Sequence, residues 1–285
     1  MVALESSVLA QGLPHPSNRE ADRRMRAAIV ARRAVPATTG VVRGVPAAGL
    51  DDDELGRFLA RSGVAKVSAR DIPWAMARGL DGATTVAGSL CICARAGIPV
   101  FATGGIGGVH RASPGAPPDE SADLVELSRS SVVTVCAGAK AILDLPATVE
   151  RLETLGIAVV GFRTREFPGF FTAETGLPVG AVTDSAAEIA DAFRASRALG
   201  RPGALLVVQA PPPDAALDAR LVEEAVSKAL TAAATAGVSG GAVTPFLLAE
   251  VERATGGRSL AANLALLESN AALAAEIAVA LADPR

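Results

Sequence analysis

The chain has no tyrosine and contains few histidines, cysteines or aromatic residues of any kind. Its 285 residues include 2 His, 3 Cys and 1 Trp, and aromatic residues make up 3%. These counts exclude a zinc site built from three histidines or four cysteines, and they exclude a tyrosine nucleophile. Half of the residues are hydrophobic and few of them are aromatic, so we expect the core to be built from Ala, Val, Leu and Ile.

Lysine is scarce even among the basic residues. Lys and Arg together number 27, and only Lys66, Lys140 and Lys228 are lysine. Arginine keeps its proton at working pH and cannot attack a carbonyl, whereas a neutral lysine amine can. We therefore expect this chain to keep lysine where it needs a primary amine.

Charge and cysteine usage limit the partners and the compartment. A net charge of −3 argues against a general nucleic-acid or membrane-surface binder, which needs a basic face. The most apolar window, residues 86–109, contains Arg95 and many glycines, which is unlike a membrane span. Cys91, Cys93 and Cys136 have apolar neighbours, which indicates free thiols in a reducing cytoplasm.

Short β-rich runs alternate with longer helical patterns along the whole chain. This alternation predicts one α/β domain over residues 1–285, with a mainly parallel sheet covered on both faces by helices. The predicted strands are 37–42, 65–68, 99–103, 132–136, 158–162 and 205–209. The predicted helices are 20–33, 51–62, 72–78, 85–96, 121–128, 140–155, 185–199, 215–236, 244–255 and 259–282.

Lys140 is the strongest single candidate for chemistry. It follows a predicted buried strand and a turn of small residues, and we expect it to open a helix at the carboxyl edge of the sheet, where α/β proteins bind ligands. A helix N-terminus and apolar neighbours both disfavour a cation, which favours the neutral amine of a Schiff-base lysine. The residues alone leave open a lysine that binds phosphate or extends to solvent.

Two more charged residues have the chemistry of a site. Lys66 near a strand end is expected to hold a phosphate, whereas Lys228 lies on a predicted solvated helix face. Glu5 is a lone carboxylate in an apolar run, so burial would make it a general acid. A glutamate so near a chain end is, however, more often exposed.

Two further segments have both a functional and a plain structural interpretation. The glycine-rich run Thr103–Arg111 follows a strand and could bring backbone N–H groups and His110 to a phosphate, or could be an ordinary turn. Asp119 and Asp123 stand four residues apart at a predicted helix start. They could hold a hydrated divalent cation or simply cap the helix.

The order of these segments matches that of a known family. The matching pieces include ALES (3–6), GLPHPSN (12–18), AVPATTGVV (34–42), KVSARDIP (66–73), GATTVAGS (82–89), FATGGIGGVHR (101–111), ESADL (120–124), VCAGAKAILDL (135–145), TPFLLAEV (244–251) and SLAANLALLESNAALAAEIA (259–278). Together they cover essentially the whole chain, and the 101–111 and 135–145 segments are the most specific. The chain thus resembles the pseudouridine-5′-phosphate glycosidase, or pseudouridylate synthase, family.

That resemblance implies a fold, a reaction and a set of roles. The fold is an α/β/α sandwich with a mostly parallel sheet, assembled as a homotrimer. The reaction interconverts pseudouridine 5′-phosphate with uracil and ribose 5-phosphate, using a manganese ion. The residues that match functional positions are Lys140 as nucleophile, Glu5 as proton donor, Asp119 as metal ligand, and Lys66, Val86, Ser121, Ala122 and Asp123 as substrate contacts. By fit to the same pocket, His110 and Asn263 are added as substrate contacts.

The reaction explains why an amine is needed. Pseudouridine joins its sugar to a carbon of uracil, so no leaving oxygen exists for an ordinary glycosidase to protonate. Opening the ribose and attaching Lys140 at C1′ supplies an electron sink through an imine. Glu5 would move protons, and the lysine and glycine-rich segments would hold the 5′-phosphate.

The chain departs from the family at two positions, and two other functions remain open. The family usually has Thr at Ser7 and His at Gln11, so Gln11 cannot titrate where a histidine could. One alternative is a Schiff-base aldolase acting on another sugar phosphate. The other is a sugar-phosphate-binding protein without catalysis, although binding alone could use arginine instead of two lysines.

Overall fold

The computed structural model describes residues 1–111, 119–238, 240 and 243–283. Within them one sheet contains ten strands. These are β1 (Val2–Leu4), β2 (Pro36–Val42), β3 (Val45–Ala48), β4 (Val64–Val67), β5 (Asp81–Thr84), β6 (Val100–Ala102), β7 (Val133–Cys136), β8 (Ala158–Phe162), β9 (Ala181–Thr183) and β10 (Leu205–Val208). The α-helices are α1 (Ser17–Ala31), α2 (Asp52–Ala60), α3 (Ile72–Ala77), α4 (Val86–Ala96), α5 (Ala122–Leu127), α6 (Leu145–Thr154), α7 (Ala186–Ala198), α8 (Ala219–Thr235), α9 (Val243–Ala254) and α10 (Arg258–Ala282).

The sheet consists of two blocks that run in opposite directions. Its order is β4-β5-β2-β1-β6-β7-β10-β8-β9, with β3 paired antiparallel to β2. From β2 to β9 all neighbours are parallel, whereas β5 is antiparallel to β2 and parallel to β4. Because β1 pairs with the first half of β2 and β5 with the second half, the carboxyl ends of both blocks meet near Thr39.

Helices cover the two faces of the sheet and complete three layers. Helix α10 packs on β1, β6 and β7 and is flanked by α1 and α7, whereas α4 packs on β1, β2, β5 and β6 beside α5. At 25 residues α10 is long and apolar enough to cross a membrane, but half of its most apolar window is buried inside the protein. Its composition is that of a central core helix, and the predicted α/β/α sandwich is confirmed.

The predicted elements are all present, with one consequential error at Lys140. The predicted helix 140–155 begins instead at Leu145, because the Asp144 side chain caps it by accepting from Ala147 N at 3.0 Å and Pro146 occupies the first turn. Lys140 therefore lies in the loop before the helix. The argument from the helix dipole does not apply to it.

Candidate active site

A cavity of about 470 Å³ lies where the carboxyl ends of the two strand blocks meet. Every site residue predicted from the sequence lines it: Glu5, Lys66, Val86, His110, Asp119, Ser121, Ala122, Asp123, Lys140 and Asn263. The fold brings them there because β1, β4, β5, β6 and β7 all end at this point. Residues separated by more than 250 positions in sequence thus face one space.

Glu5 is buried, contrary to the usual behaviour of a terminal glutamate. It directly follows β1, which lies between β2 and β6, and its exposed fraction is 6%. Both carboxylate oxygens accept a hydrogen bond at 2.6 Å, Oε1 from Ser7 Oγ and Oε2 from Thr103 Oγ1. Two short bonds to a carboxylate fix its position and orientation at the cavity wall.

A cluster of four buried hydroxyls joins the two strand blocks behind Glu5. Thr39 Oγ1 lies 2.9 Å from Thr84 Oγ1 and donates to Ser89 Oγ at 2.8 Å, while Thr84 N donates to Ser6 Oγ at 2.8 Å. All four residues are fully buried. The cluster fixes the ends of β1, β2 and β5 relative to one another, and so positions the segment that carries Glu5.

Asp123 ties two segments of the cavity wall together. Its Oδ1 accepts from Ala87 N at 2.9 Å, in the first turn of α4, and its Oδ2 accepts from Gly107 N at 2.8 Å. Only glycine fits at 107, since a Cβ there would lie 2.2 Å from Ser121 Oγ. Helix α5 begins after Ser121, so Asp119 lies outside the helix that contains Asp123, and the two do not share a helix face.

The glycine-rich segment was expected to offer its N–H groups to a phosphate. In the structure Ile106 N donates to Gly138 O, Gly107 N to Asp123, and Val109 N to Thr148 Oγ1. These three N–H groups are already hydrogen-bonded to acceptors within the protein. They are therefore not free to bind a phosphate, whereas Gly104 and Gly105 also line the cavity, so the phosphate-binding role of the segment stays a prediction.

Lys140 lies at the end of a tight turn that follows β7. Gly138 adopts a φ of +79°, and a Cβ there would lie 1.9 Å from Pro168 O, so the turn requires glycine. In the part of the chain that the structure describes, the Lys140 ammonium has no hydrogen bond or ion pair. Burial raises the pKa of the neighbouring Cys136 to about 12, so this thiol is not a competing nucleophile.

Lys66 extends from β4 into the same cavity. Desolvation lowers its pKa, and the nearby charge of Lys140 lowers it further, while Glu5 and Asp123 act in the opposite direction. Lys228 is exposed on α8, as predicted. The two lysines singled out by their context therefore lie near each other, and the third lies elsewhere.

Asp119 is the carboxylate at the cavity that the described part of the protein leaves most open. Its side chain is 71% exposed, and the His110 ring lies nearby, with Nε2 3.9 Å from Oδ2. Glu120 is paired with Arg151 at 2.9 Å. No group of three or more His, Cys, Asp or Glu with metal-site spacing occurs among the described residues.

Several lining residues were not singled out from the sequence. Ser68 and Arg70 follow Lys66 at alternate positions, and the Ser68 hydroxyl is buried with no hydrogen-bond partner in the described structure. Gln11, which the sequence marked only as a departure from the family, also lines the cavity, and its buried Oε1 has no partner in the described structure. Ser68 directly follows β4 and Arg70 lies in the 3₁₀ turn Ala69–Asp71, so the signal in the sequence was their position just after Lys66 at a strand end.

Fold and site together define an α/β/α protein with a buried carboxylate and two lysines around one cavity, and the comparisons give its family. The family model described as "Indigoidine synthase A like protein" matches residues 1–280, and the chain belongs to that family. A relative from Gemmatimonas aurantiaca, named pseudouridine-5′-phosphate glycosidase, is 62% identical over 283 residues, covering 99% of this chain and 92% of the relative. One of the same name from Herpetosiphon aurantiacus is 50% identical over 281 residues, with 99% and 92% covered.

Two solved structures have the same fold. The indigoidine synthase A-like protein of Thermotoga maritima superposes with a TM-score of 0.91 at 38% identity, covering 99% of this chain and 93% of that one. The prealnumycin C-glycosynthase AlnA, solved with ribulose 5-phosphate, gives 0.90 at 39% identity, covering 99% and 91%. The second of these proteins binds a pentose 5-phosphate.

Proposed function

We propose that this protein is a pseudouridine-5′-phosphate glycosidase that releases uracil and ribose 5-phosphate. The observation that carries the proposal is the shared cavity of Glu5 and Lys140, in a chain up to 62% identical to proteins of that name. A lysine without a partner and a fixed carboxylate are the two groups that imine chemistry requires.

The reaction proceeds through a covalent imine. Glu5 first takes a proton from the amine of Lys140, and the neutral Nζ then bonds to C1′ as the C1′–O4′ bond breaks. The proton that this nitrogen loses on forming the C–N bond passes to O4′. The C1′–C5 bond then breaks as the nitrogen lone pair forms the C=N bond, and C5 of uracil takes the bonding electrons and a proton from Glu5. Water hydrolyses the imine, which releases ribose 5-phosphate and the free amine.

Lys66, Ser68 and Arg70 form the phosphate cradle of this proposal. The Ser68 hydroxyl is buried without a partner, and the nearest charged neighbour of Arg70 is Asp71, at 3.7 Å from its Nε. The N–H of Val86 belongs to the first turn of α4, where helices leave donors free for an anion. Binding by the phosphate holds the opened sugar between Lys140 and Glu5.

The manganese ion expected from the family would bind at Asp119, whose side chain is the most exposed of the cavity carboxylates in the described structure. Glu5 and Asp123 use both oxygens on protein donors, and Glu120 is paired with Arg151. Asp71 accepts from Ser68 N at 3.0 Å, and Asp119 has the most exposed side chain of these carboxylates. Asp119 would therefore hold the ion, which would keep most of its waters as hard cations do. Such an ion would supply fixed positive charge beside the substrate.

The expected homotrimer is supported by an apolar face on α3 and β3. Val45, Trp74 and Met76 are 63%, 61% and 48% exposed, and α3 packs directly on β3. Clusters of exposed large apolar side chains commonly mark protein–protein interfaces. Sedimentation equilibrium should give three times the chain mass of 28.7 kDa, and Trp74→Glu should weaken the assembly.

The proposed function is tested by incubating the protein with pseudouridine 5′-phosphate and manganese and measuring free uracil. Borohydride reduction in the presence of ribose 5-phosphate should attach one pentose phosphate to Lys140, as mass spectrometry of the peptide would show. Lys140→Arg keeps the charge and should abolish both results. No uracil release under any metal condition would reject the function, and trapping only with other sugar phosphates would favour an aldolase.

A further inference from the structure

A second cavity of about 220 Å³ adjoins the first. The two share a wall made of Gln11, Gly12, Pro245, Leu248 and Asn263. None of the phosphate-cradle residues lines the second cavity. The wall and the cradle are therefore separate parts of the binding space.

Two amide oxygens on this wall have no partner. Gln11 Oε1 and Asn263 Oδ1 are both buried and accept no hydrogen bond from the described residues. The orientation of the Gln11 amide is set, because its Nε2 donates to Val64 O at 3.2 Å. A buried acceptor without a donor costs about 1–3 kcal/mol, and such a group is expected where a ligand supplies the donor.

The chemistry of these acceptors restricts which part of the substrate can face them. Phosphate oxygens at neutral pH are acceptors themselves, so the donor must be an N–H or an O–H. A base joined to its sugar through carbon keeps an N–H at both ring nitrogens. In uridine 5′-phosphate one of these nitrogens forms the glycosidic bond, and when the two bases are overlaid the corresponding ring position carries C–H.

We infer that Gln11 and Asn263 accept the two base N–H groups and thereby select a carbon-linked nucleotide over its nitrogen-linked isomer. The inference rests on the proposed function and adds a specificity device to it. A site built to pair with an N–H rejects an analogue that lacks it, because its own acceptor is then left buried and unpaired. Both amides line the first cavity together with Glu5 and Lys140, which is where the base must lie for C5 to take its proton.

The experiment compares Gln11→Leu and Asn263→Leu with the wild type. For each protein, the KM for pseudouridine 5′-phosphate and the inhibition constant of uridine 5′-phosphate are measured. The variant that loses the acceptor for the N–H found only in the carbon-linked base should bind pseudouridine 5′-phosphate about tenfold more weakly, while its binding of uridine 5′-phosphate is unchanged. The variant that loses the acceptor for the N–H shared by both bases should bind both nucleotides more weakly. Arg70→Ala is the matched control, since it should weaken both nucleotides equally and leave their ratio intact.

Reductive trapping with ribose 5-phosphate separates this inference from the function on which it rests. Both variants should form the adduct at the same sugar-phosphate concentrations as the wild type, because no base is present. An unchanged ratio in both variants would overturn the inference, and so would weaker trapping, which would assign the amides to ribose hydroxyls. Failure of the wild type to form any adduct would overturn the proposed function itself.

Discussion

The two hydroxyl contacts to Glu5 allow a sharp test of how the carboxylate is held. Thr103→Val removes the 2.6 Å bond to Oε2 while nearly keeping the shape of the side chain. The backbone of Thr103 stays fixed, because its N donates to Val135 O at 3.0 Å and its O accepts from Asn270 Nδ2 at 2.8 Å. The change therefore acts on the carboxylate rather than on the loop.

The expected size of the effect follows from that single bond. A hydrogen bond to a charged group contributes about 1.5–3 kcal/mol, which corresponds to a fall in kcat of about 10- to 100-fold. KM should change little, because the phosphate cradle is untouched. The assay is the initial rate of uracil release from pseudouridine 5′-phosphate, with ligand affinity followed separately by trapping with ribose 5-phosphate.

The chain offers a closely matched control one strand away. Thr134 in β7 is fully buried, and its hydroxyl has no partner in the described structure. Thr134→Val should leave kcat unchanged, and it should preserve or slightly raise stability, since an unpaired buried hydroxyl is removed. The reasoning is refuted if Thr103→Val retains kcat within twofold of the wild type, or if both substitutions lower it equally.

Three further predictions follow from the site. Asp123→Ala should lower the free energy of unfolding by about 3–5 kcal/mol in urea titrations, because two backbone N–H groups lose a charged acceptor; a loss below 1 kcal/mol would contradict the tie between Ala87 and Gly107. Lys66→Met should raise the free energy of unfolding at pH 7 by less than about 1 kcal/mol, because the lowered pKa of Lys66 means that its charge opposes folding. The gain should vanish as pH rises through the usual lysine range, where the lysine is neutral in the unfolded chain as well. Asp119→Asn should weaken Mn²⁺ binding measured by electron paramagnetic resonance without changing the unfolding midpoint of the metal-free protein, and unaltered affinity would remove Asp119 as the ligand.

The chemistry-bearing residues were easier to predict than the strands that position them. Lys140 stood out because arginine replaces lysine almost everywhere else, and the resemblance then placed Glu5, Asp119 and Lys66. Strands β1, β3, β5 and β9 were not predicted, and each has only three or four residues. Asp81-Gly82-Ala83-Thr84 also lacks the β-branched run that indicates a strand.

Some features depend on contacts that no local pattern contains. That Glu5 would be buried could not be foreseen from its position near the chain end, since it depends on β1 inserting between β2 and β6. The opposed strand directions arise because β5 pairs with the second half of β2, which is a long-range choice. The unpaired oxygen of Gln11 likewise became visible only once its nitrogen was seen to bond Val64.

The three-residue β1 holds two parts of the sheet together. In the described structure it is the hydrogen-bonded link between β2 and β6, so with β2 it connects the β4–β5 block, which carries Lys66, to β6 and β7, after which Lys140 follows. A sugar phosphate bound by both lysines would connect the same two parts of the sheet. Ligand and strand then fasten the two halves together, and part of the binding free energy would appear as resistance to unfolding.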